Sequence, residues 1–435
     1  MTPPRSRLVV LGLDGLPLSL ARQLAPRLPN LARLVPQARS IEAELPELSP
    51  VNWTSFFTAC GPGEHGVHGF TVLDPATYAL RIADFNDVRC PTVFEQLGEK
   101  GLVSRLVNLP NMAPAKALRG MLIAGFVAPD LQRAVYPPFL LGPLLAAGYR
   151  VEGDTTRGAS DPDYLLAELR RSLDCRRAAL NLLWPDLAWD FFAYVLTETD
   201  RLFHFLFHAV ARPAHPLHEA CMALLAEWDK VLGEFLDCYE ALSGPKRLIA
   251  LADHGFCELE LEVDLNRVLA EAGYFRPQRP PRDEWDAGVI GPESRAFALD
   301  PGRIYLHRQG HYSQGRVTAA ESPALLEGLR QLLLGLTWEG RRVMNKVLDG
   351  HEVYDGAQDA PDLICVPELG FDLKAKFDRD TVFGHYGRNG MHRPEDAFFY
   401  DSEGAQPARV RDVGGLILEH FGIPRHTGGT GGIIL

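Results

Sequence analysis

Cysteine is scarce and unpaired. Seven cysteines (Cys60, Cys90, Cys175, Cys221, Cys238, Cys257 and Cys365) are scattered over 435 residues with no C-x-x-C pair. The odd count argues against a full disulfide framework and for reduced, buried thiols. Long apolar runs are also missing. The N-terminal stretch MTPPRSRLVVLGLDG has only a short apolar run before Asp14, too short for a signal-peptide core. The most apolar segment, PPFLLGPLLAAGY, is broken by prolines and glycines and reads as an insertion or a packed helix. No stretch is long enough to span a membrane, so the expected location is the cytoplasm. Basic charge is in deficit as well: 44 Lys and Arg stand against 56 Asp and Glu, a formal net charge of -12. That balance excludes a nucleic-acid groove as the main function. It leaves open a small nucleotide as substrate, and a bound cation would not appear in the count. No internal repeat or low-complexity tract is present.

The composition that remains is globular, 46% hydrophobic and 23% charged, and the length suits one large α/β domain with insertions or two to three ordinary domains. Short apolar runs alternate with amphipathic segments, the pattern of a parallel α/β sheet. Strands are predicted at 7–13, 102–109, 120–126, 190–196, 247–252, 303–307, 362–367 and 397–401. Helices are predicted at 18–35, 53–60, 92–100, 163–184, 201–210, 215–242, 322–335 and 411–421. Segments 127–160 and 257–300 are rich in Pro, Gly and charge and have no clear period; they are expected to be cap or insertion segments of a single domain spanning 1–435.

Three predicted strands run directly into acidic or imidazole groups: LGLDG (Asp14), VLTETDRLFH (Asp200, His204) and LADHG (Asp253, His254). Ligands of open α/β sheets bind beyond the carboxyl ends of the strands, so three such ends imply one shared site. The i, i+4 spacing of Asp200 and His204 puts carboxylate and imidazole on one helix face. His385 and His392 lie just before the last strand. Nitrogen and carboxylate donors without thiolate suit Zn²⁺ or Mn²⁺. Taken singly, each residue is equally a cap or turn residue; their joint occurrence after apolar strands is what points to metal.

At these residues the chain resembles the alkaline phosphatase superfamily, in its type I phosphodiesterase/nucleotide pyrophosphatase branch. The resemblance is carried by VVLGLDGLP, SPVNWTSFFTACGPGEHGVHGF at 49–70, TDRLFHFLF at 199–207, LADHGF at 251–256 and GMHRPEDAFF at 390–399. RIYLHRQG, APDLICVPELGF and VRDVGGLILEHFGIP resemble its connecting segments and C-terminal helix, so the match is nearly end to end. The resemblance implies a three-layer sandwich whose large, mostly parallel central sheet is flanked by helices. It implies a phosphoryl hydrolase with two divalent metal ions, zinc first and manganese second, acting on a small phosphorylated substrate.

The resemblance places the nucleophile on Ser49 rather than Thr54 or Ser55. The residues agree: Pro50 bars Ser49 from a helix interior, and a serine at a helix start presents its oxygen to the positive end of the dipole. An N-cap role is the ordinary alternative. A serine hydroxyl needs a base or a metal to become nucleophilic, and no histidine triad is evident nearby in sequence. By resemblance, one ion is held by Asp14, Ser49, Asp253 and His254, the other by Asp200, His204 and a late histidine, His392 in preference to His385. Asn52 falls where relatives hold a phosphoryl oxygen. His65 reads as a turn residue. His307, Arg308 and His311 are either substrate contacts or a solvated turn, and Trp53 and Phe70 either base-stacking rings or core. A diester or pyrophosphate substrate is favoured because no motif for a monoesterase's arginine and third metal is found. The sulfatase pattern x-Pro-x-Arg does not follow Ser49. A monoesterase or phosphomutase of the same superfamily, and a non-catalytic scaffold that kept the fold, are the competing readings.

Overall fold

The computed structural model describes residues 6–357 and 359–424. Its main sheet contains β1 (Arg7–Leu13), β2 (Arg39–Ile41), β3 (Ser104–Leu109), β4 (Gly120–Ala124), β5 (Val135–Tyr136), β6 (Phe191–Leu196), β7 (Lys246–Leu251) and β8 (Ala397–Asp401). The strand order is β2-β8-β7-β1-β6-β3-β4-β5. The five inner strands from β7 to β4 are mutually parallel, and the outer strands pair antiparallel. Central strands with both faces covered cannot alternate in polarity, and β1 is buried at every position from Leu8 to Leu13. That continuous apolar run is what made the strand readable.

Two groups of helices cover the sheet. One comprises α1 (Ser49–Thr58), the short helix Val93–Glu99 and α5 (Val410–His420); the other comprises α2 (Pro162–Leu183), α3 (Glu198–Ala211) and α4 (His218–Glu240). The predicted helix 18–35 is the main departure: only Leu18–Leu24 is α-helical, and 3₁₀ turns carry the chain from Ala25 to Gln37. Pro26 and Pro29 remove amide donors that a continuous helix would need.

Residues 127–160 pack beside the sheet, contributing β5 and side chains such as Leu140, Leu144 and Tyr149 to the main core. The segment starting near 257 leads into a second layer. A second core runs from Val263 to Phe377, joined by Tyr78. It is framed by the four-stranded antiparallel sheet Ala296–Leu299, Arg303–Leu306, Leu363–Pro367 and Met344–Asp349. The strands predicted at 303–307 and 362–367 therefore lie in this layer and not in the main sheet. Among the described residues no helix is long and apolar enough to cross a membrane.

Gly12 sets how closely α1 approaches the sheet. A Cβ on Gly12 would lie 2.6 Å from the Trp53 ring and 2.9 Å from Val195. Gly12→Ala is expected to cost about 1–3 kcal/mol by overpacking and to shift Trp53, seen as a lower melting temperature together with weakened metal binding.

Candidate metal centre

β7, β1 and β6 are adjacent and parallel, with Gly12 opposite both Val195 and Leu251. Strand spacing of about 4.8 Å therefore holds their carboxyl ends within a few ångströms of one another. Asp14 follows β1 directly and its amide donates to Leu196 O at 3.0 Å. Asp253 follows β7, and its Oδ1 accepts the Gly15 amide at 3.1 Å. Gly15 makes this turn at φ +67, a conformation that favours glycine. Asp200 sits in the first turn of α3, after β6. A two-stranded ribbon, Gly255–Glu258 against Gly390–Arg393, sets Phe256 opposite His392 and lays the His392 ring on His254 with centroids 3.7 Å apart.

On α3, His204 Nε2 is 3.5 Å from Asp200 Oδ1, as the i, i+4 spacing predicts. The helix is kinked at Leu206. Asn389 fills the break: its amide N–H donates to His204 O at 3.0 Å, its side-chain NH₂ to Phe205 O, and its Oδ1 accepts from Phe207 N–H at 2.8 Å.

The orientations of His254 and His392 follow from their partners. His254 Nδ1 donates to Gly255 O at 3.0 Å, which leaves Nε2 with a lone pair. That lone pair faces Ser49 Oγ at 3.3 Å, Asp253 Oδ2 at 3.3 Å, Asp200 Oδ1 at 3.8 Å and Asp14 Oδ1 at 3.9 Å. His392 Nδ1 donates to Glu47 O at 2.8 Å, so its Nε2 lone pair faces Asp200 Oδ1 at 3.1 Å and His204 Nε2 at 3.0 Å. Backbone carbonyls that hold the distal nitrogen of a ligating imidazole are the usual second layer of a metal site.

In electrostatic terms the cluster holds more acid than cation. Burial pushes the His204, His254 and His392 imidazoles below their ordinary range and so keeps them neutral. Burial, then the neighbouring Asp253 and Asp200, raises Asp14 well above the carboxylate range, and burial with Asp200 raises Asp253 to about 6. Burial also works against ionisation of Asp200, but the Arg201 guanidinium beside it holds it well below that range. Arg201 is the one cation hydrogen-bonded to these acids among the described residues, and Glu152 shares it at 3.1 Å. Asp14 Oδ1 and Asp253 Oδ2 are buried with no hydrogen-bond partner. Buried acceptors aimed at acceptors are costly, and a cation removes the cost. The donor set therefore fits divalent ions. In each of two groups the candidate ligand atoms lie within 4.8 Å of one another: Asp200, His204 and His392, and Asp14, Asp200 and His254. Asp200 belongs to both.

The structure thus brings together Asp14, Ser49, Asp200, His204, Asp253, His254 and His392. His385 is exposed, lies within electrostatic reach of His208, and belongs to neither of the two ligand groups. Asn52 is fully buried, and its amide is spent on the loop before α1: Oδ1 accepts the Glu44 amide at 2.6 Å and Nδ2 points at the carbonyls of Glu44, Pro46 and Leu48. Its side chain faces the loop rather than the cluster. His65 holds its own turn, with Nδ1 accepting from Val67 N–H and Nε2 on Ser55 Oγ at 2.9 Å. His307 is buried in the second core against Tyr78 OH at 2.6 Å, and Arg308 pairs with Asp362. Trp53 is core, yet its indole N–H donates to Asp14 Oδ2 at 3.1 Å, a role the sequence did not announce. Arg201 was also missed, although it directly follows Asp200 in TDRLFH.

The cluster opens through His204 and His392 into a cleft of about 620 Å³ between the two layers. Phe70, Phe126, Phe205, Trp285 and Tyr386 supply apolar wall, with charged groups from both layers among them.

No curated protein sequence matches the chain. Solved structures do share its fold. Phosphonoacetate hydrolase from Sinorhizobium meliloti 1021, in complex with phosphonoacetate, is 17% identical with a TM-score of 0.64, and 96% of each chain is covered. An inactive variant of murine ectonucleotide pyrophosphatase / phosphodiesterase 5, in complex with AMP, is 11% identical with a TM-score of 0.56, covering 97% of this chain and 96% of that one. These likenesses carry the alkaline phosphatase-like architecture. The model of the family described as type I phosphodiesterase / nucleotide pyrophosphatase matches residues 8–394, and the chain belongs to that family of hydrolases of phosphoric ester and anhydride bonds.

Proposed function

We propose that the protein is a metal-dependent phosphodiesterase or pyrophosphatase that works through a phosphorylated or nucleotidylated Ser49. The observation that carries this reading is the convergence of buried carboxylates and imidazoles from three strand ends and one ribbon, with the Ser49 hydroxyl 3.3 Å from His254 Nε2 within it. Two divalent ions, zinc or manganese, would be held by Asp14, Ser49, Asp253 and His254 and by Asp200, His204 and His392. Bound there, they would supply Lewis-acid activation of the serine and neutralisation of charge on the phosphoryl oxygens.

Ser49 is the first residue of α1, so its Oγ stands at the positive end of a ten-residue helix, where a phosphoryl group is attracted. It would lose its proton within the acceptor cluster and attack phosphorus in line; the bond to the leaving oxygen breaks on the far side. Water then displaces Ser49 from phosphorus and regenerates the hydroxyl. Asp253 and Trp53 act before chemistry by fixing the Gly15 turn and the Asp14 carboxylate. Asn52 serves the same end by clamping the loop from Glu44 to Leu48 that delivers Ser49 and the Glu47 carbonyl. The named ligands of the two structural relatives, phosphonoacetate and AMP, support a small phosphorus-bearing anion as substrate.

Bis-p-nitrophenyl phosphate and p-nitrophenyl phosphate, each with and without chelator, test the reading. The diester is expected to turn over faster. Chelation is expected to stop it, and zinc or manganese to restore it. Monoester preference would favour a phosphomonoesterase or phosphomutase relative, and no turnover with either metal a scaffold.

A further inference from the structure

Five cations line the cleft beside the metal cluster: Arg201, Lys374, Lys376, Arg379 and Arg388. Four are committed to acids. Arg201 binds Asp200 and Glu152, Lys374 lies 2.6 Å from Asp372, Lys376 lies 2.8 Å from Asp300, and Arg379 lies 3.5 Å from Glu284 while its guanidinium covers the Tyr386 ring. Arg388 differs: no hydrogen bond, ion pair or ring contact engages its guanidinium among the described residues. It is half-buried and lines the same cleft wall as His204 and His392. Its position is fixed by its neighbour, since Asn389 is hydrogen-bonded to His204 O, Phe205 O and Phe207 N–H across the α3 kink. Glu262 is within electrostatic reach of Arg388 but makes no ion pair with it. An arginine left unpaired in a cleft whose other cations are all paired, on a backbone locked to a metal-ligating histidine, has its donor fork available for something that enters the cleft.

We infer that Arg388 binds a second anionic group, a carboxylate or a phosphate, carried by the substrate on an ester arm of the phosphorus undergoing displacement. The inference rests on the phosphoryl-hydrolase reading and adds to it a residue that sets specificity. A guanidinium offers such oxyanions two parallel N–H donors, whereas a neutral arm gains nothing from it and leaves the charge to water. The neighbouring Lys374 and Lys376 stay with Asp372 and Asp300, so the preference is expected to depend on Arg388 alone.

Three p-nitrophenyl phosphodiesters that differ only in the second arm test this with the full-length, metal-supplied protein: propyl, 2-carboxyethyl and 2-phosphoethyl. The wild type is expected to prefer at least one charged arm over propyl by about tenfold or more in kcat/KM, the value of one charge-assisted contact, mostly through KM. Comparing the two charged arms separates carboxylate from phosphate. Arg388→Met is expected to bring the ratio of charged to propyl arm near one, and Arg388→Lys to keep part of it. An unchanged ratio in Arg388→Met would overturn the assignment. So would an equal fall on all three probes, since that marks a structural role, and circular dichroism on both variants checks folding. Turnover of the propyl probe without any charged-arm preference in the wild type overturns the inference and leaves the hydrolase reading standing. Failure to cleave any of the three removes both.

Discussion

Ser49→Ala is expected to lower turnover of bis-p-nitrophenyl phosphate by about a thousandfold or more, because it removes the proposed nucleophile. The size follows from what remains. Asp14, Asp253, His254 and the second ligand group are untouched, so ions and substrate still bind, and residual activity would come from water attacking an already polarised phosphorus. Ser49 Oγ is one of several polar atoms around His254 Nε2, at 3.3 Å, so its loss would remove a single proposed donor from that group. Metal content by elemental analysis is therefore expected to fall far less than activity. The two readouts together separate a nucleophile from a structural cap. A helix cap replaced by alanine costs about 1 kcal/mol of stability, visible in the melting temperature, but leaves turnover per folded molecule intact. Undiminished turnover in Ser49→Ala would take Ser49 out of the mechanism. A parallel loss of metal and activity would recast it as mainly a ligand.

How far this site could be read in advance depended on whether a residue's role is local in the chain. Asp14, Asp200 and Asp253 were legible because each follows an apolar strand, and adjacent parallel strands bring such ends together. Asp200 and His204 were legible through helical spacing. His392 was placed by resemblance; in the structure its position depends on a ribbon that sets it opposite Phe256, a pairing no local pattern announces. Glu47 acts through a backbone carbonyl, which carries no signal in residue type. Trp53 gave an ambiguous signal, since a tryptophan four positions after Ser49 reads equally as core and is in fact both core and donor to Asp14. The second layer was read only as scattered strands and an aperiodic stretch, because its core joins Tyr78 to residues nearly three hundred positions later. Asn52 shows the converse: a polar residue beside the nucleophile looked like a substrate contact, yet its amide is consumed by carbonyls within its own loop.

The stability gained on binding metal is expected to grow as pH rises from about 4 to 6. Asp253 supplies the clearest contribution. Its carboxyl is raised to about 6 in the folded chain, against roughly 3.9 when unfolded. Although the depressed imidazoles of His204, His254 and His392 work the other way, Asp253 holds its proton between those values only in the folded state, so by linkage its contribution to the ion-free fold falls as pH rises from about 4 to 6. Two units correspond to about 3 kcal/mol, a large fraction of a typical domain's margin. Asp14, raised by burial and by the same neighbours, acts in the same direction. A bound cation reverses the sign, because it favours the ionised carboxylates and has to compete with protons for them. Thermal unfolding at pH 4.5 and 7.5, with chelator and with zinc, checks this. The gain in melting temperature on adding metal should be small at the lower pH and large at the higher. Asp253→Asn should raise the melting temperature of the chelated protein at pH 7.5, where the unpaired charge is most costly, while cutting the gain from metal. A chelated wild type that is no less stable at pH 7.5 than Asp253→Asn would mean the cluster does not carry the uncompensated charge on which a metal site there depends.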